Sequence, residues 1–414
     1  MNRMQSLVAI LTLLLLPQAA GAADADNWPR FRGPNGAGTS DATTIPAQWT
    51  EKDYNWKVEL PGGGHSSPAV WGDRIFVTSG LDDTGRRIIL CLKAADGSAF
   101  WKREYESPVC KMNSLNSYGS VTPAVDQDYV FVAWAVPEKY TVVALDHAGR
   151  EVWQRDLGPW VSQHGHGASP IVWGDLVIVP NDQDGKSFLV ALDRKTGQTR
   201  WQAERKSGKA AYATPCLFGP ADSPQIVLGS TAEGMYGIDA RTGNPLWAAA
   251  DVFPNPKRVV ASPVVAGGLI LGQCGEGGVA LHLVAVRPPA KGGEKAEVAW
   301  KIAKPPAYVP MPIARGSLVF LWGDTGTVLC VRAASGEEVW REKVGGNYFG
   351  SPVCVGGRLY GISTKGEVVV VAAAEKFELL ARNPLGEKSH ATPAVAGGRM
   401  YLRTWSHLFS IGGK

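Results

Sequence analysis

The chain has no adjacent cysteines and no CxxC, although six cysteines are spread along its 414 residues. That excludes a cysteine-built zinc site and argues against a disulfide framework. Cys91 and Cys330 fall at the strand position held by Ala144 and Ala191 in sister segments. Cys216 and Cys354 lie in short apolar strands, so these four read as small buried residues. Cys110, in a loop, and Cys274, near a strand end, are left open to pairing. Charge of one sign is also lacking: the net charge is +4, with both signs scattered. This gives no footprint for nucleic acid or an anionic membrane. There is no GxSxG elbow, no GxxxxGK[ST] loop and no dinucleotide fingerprint ahead of a helix. Long apolar runs are missing except for Leu7 to Leu16, which is too short to span a bilayer comfortably. Arg3 precedes that run and Ala20-Gly21-Ala22 follows it, the pattern of a cleaved secretion signal over residues 1–22. The mature protein is expected to start near Ala23, after Ala22, and to be soluble and periplasmic or secreted.

What the chain does have is turns and indoles. It carries 49 glycines, 28 prolines and 15 tryptophans, and 45% of its residues are hydrophobic, so it is globular and rich in tight turns. One pattern returns repeatedly. A small or polar residue and a proline open each unit, at Pro68, Pro123, Pro170, Pro215, Pro263, Pro312, Pro352 and Pro393. Two short apolar strands follow, then a third of the LVALD type, a glycine turn, and a fourth strand bearing tryptophan. Strands of this length, with β-branched residues and Gly, Asp or Asn at the hairpins, build four-stranded antiparallel sheets. Eight such units of about 40–50 residues predict an all-β, eight-bladed β-propeller. Trp101, Trp153, Trp201, Trp247, Trp300 and Trp340 are expected to lie between blades and cover the next glycine turn. A buried indole removes roughly 200 Å² from water.

The eighth unit stops after its third strand, Leu408 to Ile411. Tyr54 to Leu60 resembles an orphan fourth strand carrying Trp56, and it is predicted to complete the last blade and close the ring. Closure removes a bare sheet edge. Unit five carries the insertion PPAKGGEKAE, and unit seven has Leu380 where Trp is expected, with Ala372 to Ala381 either a short helix or a loose hairpin. Residues 23–53 form an extended arm ahead of the propeller of residues 54–414. Trp28, Phe31 and Trp49 are expected to anchor it. Arg30 and Arg32 are its candidates for contact with a partner.

The spacing Ala191, Asp193, Gly197, Trp201 resembles the tryptophan-docking motif of the pyrroloquinoline-quinone (PQQ) propeller superfamily. It is similar at Asp239, Gly243 and Trp247, and one residue shorter at Ala144, Asp146, Gly149 and Trp153. Asp gives way to Lys93 and Arg332 in two copies. The resemblance implies the propeller fold for nearly all of the chain after Thr50. It leaves two functions open, because a fold does not choose a chemistry. One group comprises PQQ-dependent alcohol and sugar dehydrogenases, with calcium, a catalytic Asp and often an adjacent-cysteine ring. The other comprises non-enzymatic BamB-like propellers of outer-membrane assembly. The WPRFRGPNGAG opening is similar to a subgroup of exported propellers with no assigned activity. This sequence shows neither the adjacent cysteines nor an acidic cluster with metal spacing. Asp182 and Asp184, like Glu233, Glu276, Asp324 and Glu367, read as turn residues.

Candidate ligand-binding residues cluster where each innermost strand begins. Three residues before each opening proline stand His65, Ser120, Gly167, Tyr212, Val260, Val309, Phe349 and His390. Just upstream lie His164, His166, Arg258, Tyr308, Tyr348 and Lys388. Two readings stay open: a solvated rim, or a funnel for a small anionic or aromatic ligand or an extended peptide. His164-x-His166 lacks an identifiable third metal ligand. No catalytic residue, metal or resident cofactor is expected. The expected activity is binding of a protein segment or envelope polymer by a monomeric propeller, with a PQQ-dependent oxidoreductase using calcium as the alternative.

Overall fold

The computed structural model describes residues 27–413 apart from 207, 254–257, 290–292 and 294. The secretion signal and its cleavage site therefore lie outside the described residues. Eight antiparallel sheets follow one another around a central channel, each with its four strands in spatial order. Blades one to seven each use consecutive strands, the first running from Ala69–Trp71 at the channel to Ala99–Tyr105 at the rim. Helix is confined, among the described residues, to three 3₁₀ turns: Pro34–Gly36, Glu51–Asp53 and Ala250–Val252.

The last blade is completed from the other end of the chain. Tyr54–Glu59 pairs antiparallel with His407–Gly412, Trp56 opposite Ser410 and Val58 opposite Leu408. The ring is thus closed by hydrogen bonds between residues about 350 apart in sequence, which makes this the longest loop closure in the fold.

The repeated motif has a physical reason at each position. Asp193 Oδ1 accepts hydrogen bonds from the N–H groups of Lys195 and Thr196, and Asp239 does the same for Arg241 and Thr242. The carboxylate thereby organises the turn. A small residue sits opposite each indole in register: Cys91 faces Trp101, Ala144 faces Trp153, Ala191 faces Trp201 and Cys330 faces Trp340. All six cysteines are free, so Cys110 and Cys274 do not pair. The glycine is required by space and by conformation. Gly97 has φ 75°, and a Cβ there would lie 2.8 Å from the Trp56 ring of the preceding blade. Trp101, Trp153, Trp201 and Trp300 lie on Gly149, Gly197, Gly243 and Gly336 in the same way. Each indole N–H also donates to a turn carbonyl, as Trp56 does to Ala94 at 3.1 Å and Trp153 to Arg194 at 2.9 Å.

Two units depart from the expected docking. Among the described residues Trp247 lies on no turn glycine. Its ring packs on Gly237 of its own blade, and Nε1 donates to Gln225 Oε1 at 2.6 Å. In blade seven the segment is a hairpin and not a helix, and register puts Ala381, not Leu380, opposite Val370 at the tryptophan position. The turn of blade seven still receives the indole of the preceding blade: Trp340 donates to Ala374 O and meets Phe377 edge-on.

The arm corrects another expectation. Arg30 and Arg32 are 7% and 0% exposed and cannot reach a partner. Arg30 donates to Pro215 O in blade four. Arg32 donates to Pro312 O and Pro352 O in blades six and seven, at 3.0 and 3.4 Å. The arm crosses the channel, bridging Trp28 to Val70 and receiving the Val125 N–H at Pro29 O. It ends as a two-residue parallel strand, Thr39–Ser40, on Val353–Val355, so the seventh sheet has five strands. Trp49 stacks on Tyr360.

Substituting Trp56→Ala removes both the wedge and the closing contact, and is expected to cost about 3–5 kcal/mol in urea unfolding. Trp340→Ala, whose ring is half-buried and has no glycine turn beneath it, is expected to cost about 1–2 kcal/mol.

Candidate functional site

Each innermost strand is preceded by an extended approach in which alternate side chains face the channel. The residue three before each opening proline and the residue one before it therefore stand in two stacked layers. All eight members of the upper layer, from His65 to His390, line one cavity of about 560 Å³. The lower layer is Ser67, Thr122, Ser169, Thr214, Ser262, Met311, Ser351 and Thr392, and all but Ser67 line the same cavity. Phe31, carried by the arm, lies at its base.

The lower layer is a hydrogen-bonded collar. Ser67 N–H donates to Thr122 Oγ1 at 3.0 Å, Thr122 N–H to Ser169 Oγ at 3.0 Å, and Ser169 N–H to Thr214 Oγ1 at 3.1 Å. Thr214 N–H donates to Ser262 Oγ, Met311 N–H to Ser351 Oγ and Ser351 N–H to Thr392 Oγ1. Six of these hydroxyls thus tie one blade to the next. Met311 has no hydroxyl and Ser67 Oγ has no hydrogen-bond partner among the described residues, so the collar is open between blades five and six and between blades eight and one. The Ser/Thr-Pro opening carried this signal in the sequence, but its role was invisible without the ring.

Of the candidate binding residues, His65, His164, Tyr212, Arg258, Tyr308 and His390 line the cavity. His65 stacks on His390 with ring centroids 4.4 Å apart, flanked by Trp405 and Phe349. Arg258 donates from Nη2 to Gln163 Oε1 at 2.8 Å. Three candidates lie elsewhere. His166 is buried behind the wall, where its Nε2 meets the Tyr140 hydroxyl at 2.9 Å and its ring meets Trp160 edge-on. Tyr348 is fully buried against Trp322. Lys388 lies outside, its ammonium 4.4 Å over the Trp405 ring. His164 turns Nδ1 towards Asn113 at 3.1 Å, so the His-x-His pair diverges. No group of three metal-ligating side chains exists among the described residues. Sequence reasoning missed Asn113 and Asn116, whose loop is clamped to the His164 backbone and forms one side of the mouth.

The acidic residues are more than turn residues. Asp182 is buried and pairs with Arg205 at 3.1 Å. Asp324 accepts the N–H groups of Tyr308 and Val309, and Asp184 accepts that of Ala210, so both hold the rim from behind. Ser406, His407 and Glu387 meet outside the cavity, but serine and carboxylate contact the same Nδ1. That is not the relay geometry of a triad, which uses both ring nitrogens.

With the geometry in hand, comparison with known proteins places the chain. The family described as outer membrane protein assembly factor BamB matches residues 48–214 and 324–410, more than half of the sequence. The chain belongs to this family. The outer membrane protein assembly factor BamB of Burkholderia pseudomallei (strain K96243) is 21% identical over 224 residues, 52% of each chain. The chain therefore spans about half the length of the curated relative it matches. BamB from Moraxella catarrhalis is similar in structure, with TM-score 0.60 and 17% identity over 86% of this chain and 97% of that one. Quinohemoprotein alcohol dehydrogenase from Comamonas testosteroni gives TM-score 0.66 and 14% identity over 95% and 81%. At these identities the two structures share the fold alone. A hard cation takes anionic oxygen ligands, and among the described residues the cavity has no carboxylate, only amides, hydroxyls, imidazoles and Arg258.

Burial holds the His65 imidazole down to about 2, with His390, Arg403 and Lys388 acting in the same direction. Burial also holds His166 down to about 3, helped by Arg87. Both lie below the ordinary value of about 6.5, so the unfolded chain takes up protons first as pH falls. Their contribution to stability is complete above that value and is lost progressively below it. Asp182 acts oppositely: burial raises it to about 6 against the pull of Arg205, so its cost is relieved as pH falls through 6. Two imidazoles outweigh one carboxyl. The thermal midpoint is expected to fall between about pH 7 and pH 5, His65→Phe is expected to shrink that fall, and neither imidazole is expected to titrate by NMR in that range.

Proposed function

We propose that this chain is an exported, non-enzymatic propeller that binds a protein segment in the mouth of its channel. The observation that carries this reading is the lining: rings, hydroxyls and amides surround about 560 Å³, with no carboxylate and no paired nucleophile and base among the described residues. Such a surface offers stacking and hydrogen bonds, the ordinary means of holding a peptide, and lacks the groups that would move a proton from it. The start of the sequence supports export. Among the described residues no helix is long and apolar enough to cross a membrane. Membership of a family described as an outer membrane protein assembly factor makes proteins the first ligands to test. An envelope polymer is the other ligand class that the same groups would suit.

Two assays on the purified protein test the reading. An array of extended peptides, read by fluorescence, is expected to yield binders that Tyr212→Ala and His390→Ala each weaken about tenfold. Dye-linked oxidation of alcohols and sugars, after incubation with PQQ and calcium, is expected to stay at background. Steady turnover that vanishes when quinone is withdrawn would overturn the proposal in favour of a quinoprotein oxidoreductase.

A further inference from the structure

The funnel is blind. Its walls are the eight blades, and its base is Phe31 on an arm fastened to blades one, two, four, six and seven. A polypeptide cannot thread through it and can present only an end or a tight turn. The charge around the cavity discriminates between the two ends of a chain.

The side-chain groups left without a partner at the cavity are the Arg258 guanidinium, the collar O–H groups and two imidazole nitrogens. Thr122, Ser169, Thr214, Ser262, Ser351 and Thr392 each spend a lone pair on a neighbour's N–H, and no hydrogen bond from their own O–H exists among the described residues. Arg258 is 8% exposed and lines the wall, and its Nη1 is buried with no hydrogen-bond partner among the described residues. Nδ1 of His65 and Nδ1 of His390 are likewise unpartnered. Beneath them Arg30 and Arg32 are held by carbonyl oxygens of Pro215, Pro312 and Pro352, which carry no formal charge. Arg403 is tied to Ser66, Thr78 and Ser79, and Lys388 lies outside over Trp405. The anions nearby are engaged behind the rim. Asp184 holds Ala210, Asp324 holds Tyr308 and Val309, and Glu387 holds Thr404 and Ser406.

We infer that the funnel is a carboxylate site, in which Arg258 and the collar hydroxyls hold the anion while the His65–His390 stack and Phe349 flank a flat or apolar group beside it. This rests on the binding reading above and sharpens it: the segment enters by its C-terminus. An amino terminus would bring a cation to a wall that already has one and no anion to meet it. A carboxylate would receive charge-assisted hydrogen bonds from groups otherwise left unmet in a cavity screened from water. A free aromatic acid shares this chemistry, and the test separates the two sources.

The probe is the peptide Ser-Gly-Val-Tyr-Phe, labelled with fluorescein at its amino end, with either a free C-terminal acid or an amide. N-acetylphenylalanine is the small competitor. Fluorescence anisotropy with the unmodified protein is expected to show the acid bound at least about tenfold more tightly than the amide, an advantage that salt reduces. Arg258→Gln is expected to abolish the difference at an unchanged thermal midpoint, and Arg258→Lys to retain part of it. If the acid peptide outcompetes N-acetylphenylalanine, the site is for a chain end. If the two compete equally, it is a carboxylate site for a free acid. Equal affinity for acid and amide overturns the carboxylate site and leaves a binding module. Failure of both peptides overturns it as well, and the array described above then decides the broader reading alone.

Discussion

Everything in this molecule depends on two chain ends meeting in one sheet. The strand Tyr54–Glu59 joins His407–Gly412, and its Trp56 then covers the Gly97 turn of blade one. One residue therefore completes the eighth sheet and docks it on the first. Without that contact the ring would have two open edges and no defined channel. Four further indole–glycine pairs repeat the wedge around the circle, and the collar hydroxyls repeat the tie at its centre. The outer contact is apolar and the inner one is a hydrogen bond, so blades are fixed at both radii.

Much of this was legible in the sequence, because repetition makes local rules visible. The glycine-to-tryptophan spacing gave the blade, and the count of prolines gave the number of blades. The orphan strand at Trp56 followed from a missing fourth strand. The eight positions three before each proline line one cavity, since strand alternation fixes which side chains face inward. Legibility failed where a position lacks sister copies. The arm occurs once, so nothing in the repeat indicated that Arg30 and Arg32 turn inward to blade carbonyls. His166, Tyr348 and Lys388 sit in irregular loops, where distance from the proline no longer predicts direction. Trp247 and Ala381 depart where the sequence of the unit they face or occupy breaks the standard turn pattern.

The electrostatics of the mouth follow from the same construction. The collar spends one lone pair of each of its hydroxyls and leaves the O–H free, and burial keeps the His65 imidazole neutral. The carboxylates that the loops need are placed behind the rim, where backbone N–H groups satisfy them. What remains facing the channel is Arg258, free O–H groups and two imidazoles, with no carboxylate among the described residues. The polarity of the site is thus a by-product of how neighbouring blades are joined.

The position of the closing strand also bears on how the chain reaches this state. Residues 54–59 are synthesised about 350 residues before their partner at 407–412. The arm waits as well, because carbonyls it grips are contributed by blades one, four, six and seven. Seven sheets can therefore assemble while the closing strand is still without its partner. Only pairing with the strand 407–412 locks the circle, so one contact between distant segments decides when the ring is complete.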